Sequence, residues 1–241
     1  MSALLSVNGV SKRFRGLVAV DRASFDVAEG GIFAVIGPNG AGKTTLFNMI
    51  AGVFPPNAGA ISFAGERVDG LPPDRICRRG IGRTFQIVRP FPALSVEDNV
   101  IVGALLRRHD VGDARARAHE VLRRLDLYDK RGQSASSLTL PDRKRLEVAR
   151  ALATDPKLLL LDEVMAGLRP TETDRLVAIL QGLNRETGLT ILLIEHVMRA
   201  VMALASRILV LHHGAAIAEG PPEQVIRDRA VIDSYLGVEA V

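Results

Sequence analysis

Nine consecutive residues, Gly37 to Thr45, have the types and spacing needed to bind nucleotide phosphates. They fit the pattern G-x-x-x-x-G-K-[ST] in full. Glycines let successive backbone N–H groups curl inward around phosphate oxygens. Lys43 can reach the β- and γ-phosphates, and the Thr44 hydroxyl can be a ligand of Mg²⁺. The predicted phosphate-binding residues are Gly37, Pro38, Asn39, Gly40, Ala41, Gly42, Lys43, Thr44 and Thr45.

The segments on either side of this loop predict a strand before it and a helix after it. Ile32–Ile36 is a short apolar run, and Thr45–Ile50 is typical of the start of a helix. The N-terminus of that helix would add its partial positive charge to the phosphate site. The alternative is a chance glycine-rich turn, and the strand–loop–helix context argues against it.

A second candidate site follows the leucine run Leu158–Leu161. This run is too apolar for an exposed strand and too short for a typical helix, so it predicts a buried parallel strand. Asp162, at its end, is suited to hold Mg²⁺ directly or through water. Glu163 can orient and deprotonate an attacking water. The alternative is a strand ending in two solvated acids, but the phosphate loop elsewhere in the chain favours a functional pair.

Composition limits the class of protein. The 241 residues can form one large domain or two small ones, and 47% hydrophobic with 24% charged residues is typical of a globular protein. One cysteine, Cys77, excludes an internal disulfide. We expect no signal peptide and no membrane span, because the apolar runs are far shorter than about 18 residues.

The formal net charge is +4, and the arginines occur in clusters. We interpret these clusters as solvated helix faces, with attraction to an anionic membrane or to nucleic acid as the alternative. They comprise Arg75, Arg78, Arg79 and Arg83, then Arg107 and Arg108, Arg115 and Arg117, Arg123 and Arg124, and Arg143 and Arg145.

The rest of the pattern predicts an α/β nucleotide-binding core interrupted by helices. Ile61–Val68 is typical of a β-hairpin, and helical spacing dominates from about Ser95 to Ala153. Thr190–Ile194 and Arg207–Leu211 predict further strands.

The order of these motifs resembles that of ABC-transporter ATPase subunits over essentially the whole chain. The phosphate loop is followed by Gln86 in Arg83–Gln86, the helical block, Asp162-Glu163, and His196 after a strand. The resemblance implies a P-loop NTPase (RecA-like) α/β core with an antiparallel β subdomain and an inserted helical subdomain. Residues 1–241 would form one ABC ATPase domain, with the core and β subdomain at about 1–94 and 154–241 and the helical subdomain at about 95–153.

Within the family, the chain is most similar to the ATPases of branched-chain amino acid importers. The segments Gly80–Phe91, Leu94–Val100 and Asp233–Gly237 support this. Related importers of amides and urea carry similar segments, so that alternative stays open.

The resemblance also assigns roles. Phe14 would stack on adenine, although a core aromatic beside the first strand is the alternative. Gln86 would sense Mg²⁺ and link the site to the membrane partner, and His196 would contact the γ-phosphate. The implied catalytic residues are Glu163, His196 and Gln86, and the implied metal ligands are Thr44, Gln86 and Asp162. The remaining histidines are interpreted as surface residues: His109, His119, His212 and His213.

The signature loop departs from the family pattern. Leu-Ser-Gly-Gly-Gln or Leu-Thr-Tyr-Gly-Gln is usual, whereas this chain has Leu138-Thr139-Leu140-Pro141-Asp142. That loop normally contacts the γ-phosphate bound by the opposite subunit through backbone N–H groups. Pro141 has no N–H, and Asp142 adds a negative charge, although Pro141 also suits a helix start. Val164 replaces a usual proline and Arg169 a usual Asn or Asp.

The resemblance therefore implies an ATP-binding and ATP-hydrolysing subunit that powers an importer of branched-chain or related amino acids, with ATP and Mg²⁺ as cofactors. The implied partners are transmembrane permease subunits, a second ABC ATPase subunit and, indirectly, a solute-binding protein. A heterodimer is favoured by the altered signature loop, and a homodimer remains the alternative. The expected location is the cytoplasmic side of the membrane, with no nucleic-acid partner. Two other functions remain open: a soluble ATPase acting on nucleic acid or ribosomes, and a regulatory subunit with weak hydrolysis.

Overall fold

The computed structural model of the chain describes residues 3–86 and 89–236. Ile87, Val88 and Gly237, which belong to segments quoted above, lie outside the described residues. The described part contains one four-stranded sheet and one six-stranded sheet.

The smaller sheet is antiparallel. It consists of β1 (Ala3–Phe14), β2 (Leu17–Ala28), β4 (Ala58–Phe63) and β5 (Glu66–Arg67), in the order β2-β1-β4-β5. Phe63 pairs with Glu66 across the tight turn between β4 and β5, which is the predicted hairpin.

The larger sheet carries the motifs. Its strands are β3 (Ile32–Ile36), β6 (Ile81–Arg83), β7 (Leu158–Asp162), β8 (Thr190–Ile194), β9 (Arg207–His212) and β10 (Ala215–Gly220). Their order is β10-β9-β3-β8-β7-β6. Neighbours from β9 to β6 pair in parallel, and β10 runs antiparallel to β9 at one edge. The strands predicted before the phosphate loop and at Thr190–Ile194 form with the predicted bounds.

Helices connect and follow these strands, and a side chain caps the start of the third and of the fourth helix along the chain. The helices are α1 (Lys43–Ile50), α2 (Pro73–Arg79), α3 (Val96–Ala104), α4 (Val111–Arg124), α5 (Leu140–Leu152), α6 (Pro170–Thr187), α7 (Met198–Leu204), α8 (Pro222–Val225) and α9 (Arg229–Leu236). The Ser95 hydroxyl accepts the Asp98 N–H at the start of α3, and Asp110 does the same for Asp113 at α4. Helices α3 to α5 lie between β6 and β7, where the helical block was predicted.

Two apolar clusters cover the two faces of the larger sheet. Because side chains alternate along a strand, β3, β7, β8 and β9 each contribute to both clusters, and this explains their unbroken apolar sequences. One cluster joins the sheet to α3–α7 through Ala34, Ile36, Leu159, Leu161, Ile191 and Leu193. The other joins it to α1 and the smaller sheet through Phe33, Val35, Leu158, Leu160, Leu192 and Ile194.

The parallel pairing brings the motifs to one edge of the sheet. The phosphate loop follows β3, Gln86 follows β6, Glu163 follows β7 and His196 follows β8. Carboxyl ends of parallel strands lie side by side, so residues far apart in sequence converge there.

Alanine substitutions at two glycines of the smaller sheet measure how closely its strands approach each other. Gly59 has φ 85°, and a Cβ on it would lie 2.4 Å from the Gly9 backbone, whereas Gly65 has φ 81° and open space around it. We expect Gly65→Ala to lower the free energy of unfolding by about 1 kcal/mol, because its backbone is left-handed and nothing else opposes the new Cβ. Gly59→Ala should cost about 2 kcal/mol more, because two backbones must separate. Urea unfolding of both variants measures the difference, and equal midpoints would contradict this packing.

Candidate functional site

A pocket of about 510 Å³ lies at the carboxyl edge of the larger sheet. It brings together most of the residues predicted from the sequence. Its lining consists of Phe14, Leu17, Val18, Ala19, the loop residues Asn39, Gly40, Ala41, Gly42, Lys43, Thr44 and Thr45, and Gln86, Glu163 and His213. Of the predicted loop, Gly37 and Pro38 lie behind this lining and contact Lys43.

Lys43 is hydrogen-bonded to the backbone of its own phosphate loop. Lys43 is 7% exposed, and its Nζ donates to the carbonyl oxygens of Gly37 at 2.7 Å and Pro38 at 2.9 Å. Burial lowers the pKa of Lys43, while the Glu163 and Asp162 carboxylates act in the opposite direction. Gly42, in a left-handed conformation, provides no side-chain cap for α1. The first N–H groups of α1 are therefore available to an anion.

Gln86 and Glu163 contact each other in the pocket. The Gln86 Nε2 donates to Glu163 Oε2 at 2.7 Å. Glu163 has φ 48°, a left-handed conformation that is uncommon for a residue with a side chain. Its N–H donates to the Ile194 carbonyl at 2.9 Å. The two residues therefore come from β6 and β7 and form one unit beside the loop.

Asp162 is buried at the end of β7 with one oxygen engaged. Arg83 donates to its Oδ2 at 3.1 Å. Its Oδ1 is buried and has no hydrogen-bond partner among residues 3–86 and 89–236. Burial raises the pKa of Asp162, and the hydrogen bond and charge of Arg83 oppose that rise. A buried carboxylate oxygen without a partner is suited to receive a cation or a water bound to one.

Arg83 does not belong to the solvated arginine cluster in which the sequence placed it. Its side chain is 10% exposed, and it donates to Asn48 Oδ1 at 2.7 Å as well as to Asp162. The interpretation of Arg83 as a surface residue is therefore wrong. The physical reason is that β6 pairs with β7, so the end of β6 faces the acidic end of its neighbour.

The two histidine predictions have different outcomes. His196 follows β8 at the same sheet edge, but its side chain is exposed and does not line the pocket. His213, interpreted as an ordinary surface residue, does line the pocket. The sequence carried a signal for it, because His213 follows the end of a strand in the same way as His196.

Phe14 is the last residue of β1 and is 43% exposed in the pocket wall. Its ring and that of Phe54 pack in a T-shaped arrangement, with centroids 5.3 Å apart and planes at 87°. The alternative of a buried core aromatic does not fit this exposure. An exposed aromatic ring beside a phosphate loop can stack on a base.

The altered signature segment starts a helix. Thr139 is the N-cap of α5, and Pro141 lies in its first turn, where a missing N–H costs nothing within the helix. Asp142 is only 2% exposed and accepts hydrogen bonds from Lys130, Thr139 and Arg145.

The charge of Asp142 is compensated. Burial alone would raise the pKa of Asp142, but the bonds from Lys130, Thr139 and Arg145 more than reverse this and lower it. The negative charge that Asp142 adds is therefore paired with Lys130 and Arg145. The interpretation of Arg145 as solvated is wrong, because its side chain is 10% exposed. The missing N–H of Pro141 is unaffected by this correction.

The two other departures lie after Glu163. Val164 is 1% exposed and fills the core below the site. Arg169 is exposed at the start of α6, and its backbone N–H donates to the Glu172 carboxylate at 2.8 Å.

The C-terminal helix reaches the phosphate loop. Burial raises the pKa of the Tyr235 hydroxyl, and a hydrogen bond from the backbone of Gly37 opposes the rise. Tyr235, which belongs to the segment Asp233–Gly237, thus lies near the first residue of the phosphate loop.

Comparisons with known proteins agree with this geometry. The family model described as ABC transporter matches residues 20–166, and that described as branched-chain amino acid ATP-binding cassette transporter matches residues 217–241. The chain is 41% identical to the high-affinity branched-chain amino acid transport ATP-binding protein LivG of Escherichia coli (strain K12), covering 97% of this chain and 98% of that protein. It is 39% identical to the corresponding protein BraF of Pseudomonas aeruginosa, with the same coverage of 97% and 98%.

The fold has a counterpart among solved structures. The ADP conformation of an ATP-binding cassette of an ABC transporter superposes with a TM-score of 0.89 at 28% identity, covering 98% of this chain and 100% of that one. Among the helices of residues 3–86 and 89–236, none combines the length and apolar character that crossing a bilayer requires.

Lys43 tests the phosphate loop directly. We expect Lys43→Ala to weaken binding of a fluorescent ATP analogue sharply, because the lysine side chain lies in the pocket wall beside the loop carbonyls. The far-ultraviolet circular dichroism should stay unchanged. Lys157→Ala is the matched control, since Lys157 is exposed at the opposite edge of the sheet, before β7. Equal affinity in Lys43→Ala and Lys157→Ala would remove Lys43 from the site.

Proposed function

Because this chain belongs to the ABC transporter family of ATP-binding proteins, we propose that it hydrolyses ATP to drive an importer of branched-chain or related amino acids. The expected fold, family and ATPase activity are confirmed by the family and structural matches. The observation that carries the proposal is the hydrogen bond between Gln86 and Glu163 in a pocket floored by the phosphate loop.

The proposed solute rests on similarity outside the catalytic pocket. The relatives LivG and BraF are described as branched-chain amino acid transport ATP-binding proteins. The C-terminal match covers residues 217–241, which include α9 and Tyr235. Amides and urea remain the alternative solutes for the same set of motifs.

The roles proposed for Phe14, the phosphate loop, Gln86 and Glu163 are supported by their place in the pocket, and the role of His196 by its position after β8 alone. Phe14 stacks on adenine, and the loop residues Gly37 to Thr45 bind the phosphates with backbone N–H groups and the charge of Lys43. Glu163 orients the attacking water and accepts its proton. Gln86 holds the Glu163 carboxylate, and His196 contacts the γ-phosphate from the neighbouring strand end.

The residues present fit a magnesium ion. Asp162 offers a buried oxygen without a partner, and the exposed Thr44 hydroxyl lies in the pocket lining. Thr44, Asp162 and Gln86 would hold the ion or its waters, and Mg²⁺ would neutralise charge on the phosphates. No group of three or more His, Cys, Asp or Glu side chains in the described part of the chain forms a metal cage. This suits Mg²⁺, which keeps several waters and phosphate ligands.

The assembly is part of the proposal. Apolar side chains are exposed around and after Gln86, at Phe85, Phe91, Leu94, Val102 and Leu105. Such a patch is suited to a protein partner, and we assign it to a permease subunit on the cytoplasmic side of the membrane. Residues 1–241 act as one ABC ATPase domain with residues 95–153 as its helical subdomain. A solute-binding protein would deliver the amino acid, and no nucleic acid takes part.

Pro141 favours pairing with a different ATPase. In a homodimer both sites would lack one backbone donor, and losing one preorganised donor can cost about 3 kcal/mol of transition-state stabilisation. A partner with an ordinary signature loop would complete the site built on Lys43 and Glu163. The site that this chain completes with Thr139–Asp142 would be slow or mainly structural.

If Glu163 is the general base, its substitution should lower ATP turnover without weakening MgATP binding. Glu163→Gln keeps the side-chain shape and removes the charge, so we expect turnover to fall about a hundredfold or more while MgATP binding survives. Glu223→Gln, an exposed carboxylate change on α8, is the control. Steady-state phosphate release and equilibrium nucleotide binding, both in the full transporter, give the two readouts. Normal turnover in Glu163→Gln would point to another base.

The heterodimer predicts unequal sites. In the reconstituted complex, Glu163→Gln in this chain should abolish most turnover, and the equivalent change in the partner should matter less. The reason is that the site built on the phosphate loop of this chain is completed by the partner's ordinary signature loop, which has all of its backbone N–H groups. Phosphate release from each singly altered complex measures the asymmetry. A more damaging change in the partner, or a fully active homodimer of this chain, would show that Pro141 is only a tolerated helix start.

A further inference from the structure

A buried lysine on α5 contacts the backbone of both residues that meet in the pocket. Lys144 is 5% exposed, and its Nζ donates to the Glu163 carbonyl at 2.9 Å and to the Gln86 carbonyl at 3.4 Å. A charged group that loses water on burial requires partners in return. Here its partners are main-chain oxygens of the Gln86–Glu163 unit.

One of the two residues whose backbone Lys144 contacts, Glu163, has a left-handed conformation. Glu163 has φ 48°, and a residue with a side chain keeps such a conformation only where its surroundings stabilise it. The Glu163 N–H is bound to Ile194, and Lys144 binds the carbonyl on its other side. The direction in which the Glu163 side chain leaves the strand depends on this conformation.

A second buried charge holds the turn that follows Glu163. Glu195 is 1% exposed, and its Oε1 accepts the N–H of Met165 at 2.8 Å. Burial raises the pKa of Glu195. Burial lowers the pKa of Lys144, and Glu195 is the carboxyl group that opposes this most strongly. Lys144 and Glu195 thus hold the same turn through separate backbone hydrogen bonds, one to the Glu163 carbonyl and one from the Met165 N–H.

The same face of α5 also holds the segment around Gln86. Lys144 donates to the Gln86 carbonyl at 3.4 Å, and Arg150 donates to the Arg89 carbonyl and to Glu147, both at 2.9 Å. Lys144, Glu147 and Arg150 are spaced by three residues, so they lie along one side of the helix. The helix that begins at the signature segment is therefore bonded to both catalytic segments.

We propose that Lys144 and Glu195 are positioning residues, which fix the backbone from Glu163 to Met165 and so aim the Glu163 carboxylate. This rests on the proposed role of Glu163 in hydrolysis. Neither residue lines the pocket itself, and Lys144 reaches it only through the backbone of Gln86 and Glu163. Their effect on the reaction is therefore exerted through the position of Glu163, and nucleotide binding does not depend on them.

The test compares disruptive and conservative changes at both positions. Lys144→Met and Glu195→Leu remove the donor and the acceptor while keeping apolar bulk. Each should lower kcat about 10- to 100-fold, as a small misplacement of a catalytic group does, and leave the KM for ATP within twofold. Lys144→Arg and Glu195→Gln keep a donor and an acceptor, so they should retain at least a third of wild-type kcat. Arg143→Met, a matched change at the exposed neighbour on α5, should have no effect.

Several results would overturn the proposal. Wild-type kcat in both Lys144→Met and Glu195→Leu would do so, and so would a rise in KM that accounts for the whole loss of kcat/KM. Either residue tests the idea alone if one variant does not fold. Loss of the folded state in both, seen by circular dichroism at the assay temperature, would make the pair purely structural.

Glu163→Gln, measured in parallel, separates this proposal from the proposed function. If Glu163→Gln keeps wild-type turnover, the role of Glu163 fails and the positioning role fails with it. If Glu163→Gln loses turnover while Lys144→Met and Glu195→Leu keep it, only the positioning role fails.

Discussion

Two adjacent carboxylates at the end of one buried strand constrain the rest of the site. Asp162 and Glu163 lie beside a loop built for phosphate, so negative charge accumulates where water is scarce. Such a site is stable only if cations from other elements compensate it. Arg83 from β6 binds Asp162, Lys144 from α5 binds the Glu163 backbone, and Lys43 lies across the pocket. The strand order, which places β6 next to β7, is what allows the first of these contacts.

The parts that could be predicted from the sequence are those encoded within a few neighbouring residues. The phosphate loop, the buried strands at Ile32–Ile36 and Thr190–Ile194, and the hairpin after Ile61 each carry their signal in local spacing and composition. Arg83 and Lys144 could not be found in this way. Their burial depends on partners separated by 79 and 19 residues in sequence, respectively. In isolation each is a charged side chain, and the favoured interpretation of a charged side chain is exposure.

The signature segment shows how a local departure can be absorbed by its surroundings. An acid three residues after a helix N-cap suits the helix dipole, and Thr139 and Asp142 form such a pair. Lys130 and Arg145 then neutralise the buried carboxylate. What remains unusual is the missing N–H of Pro141, a difference of one hydrogen-bond donor. The argument for unequal sites therefore depends on backbone chemistry, and the charge of Asp142 does not contribute to it.

The contacts of α5 give a physical route between the two surfaces that an assembled transporter must connect. Its first turn carries the signature segment, and one of its faces binds the backbone around Gln86 and Glu163. The exposed apolar side chains assigned to the permease lie on that same Gln86 segment and on α3. A displacement of the Gln86 segment by a partner thus acts on buried, charged hydrogen bonds, which cannot be broken without large cost. We expect the Glu163 turn and α5 to move together with that segment. This would link the proposed permease surface, the signature segment and the direction of the proposed catalytic carboxylate.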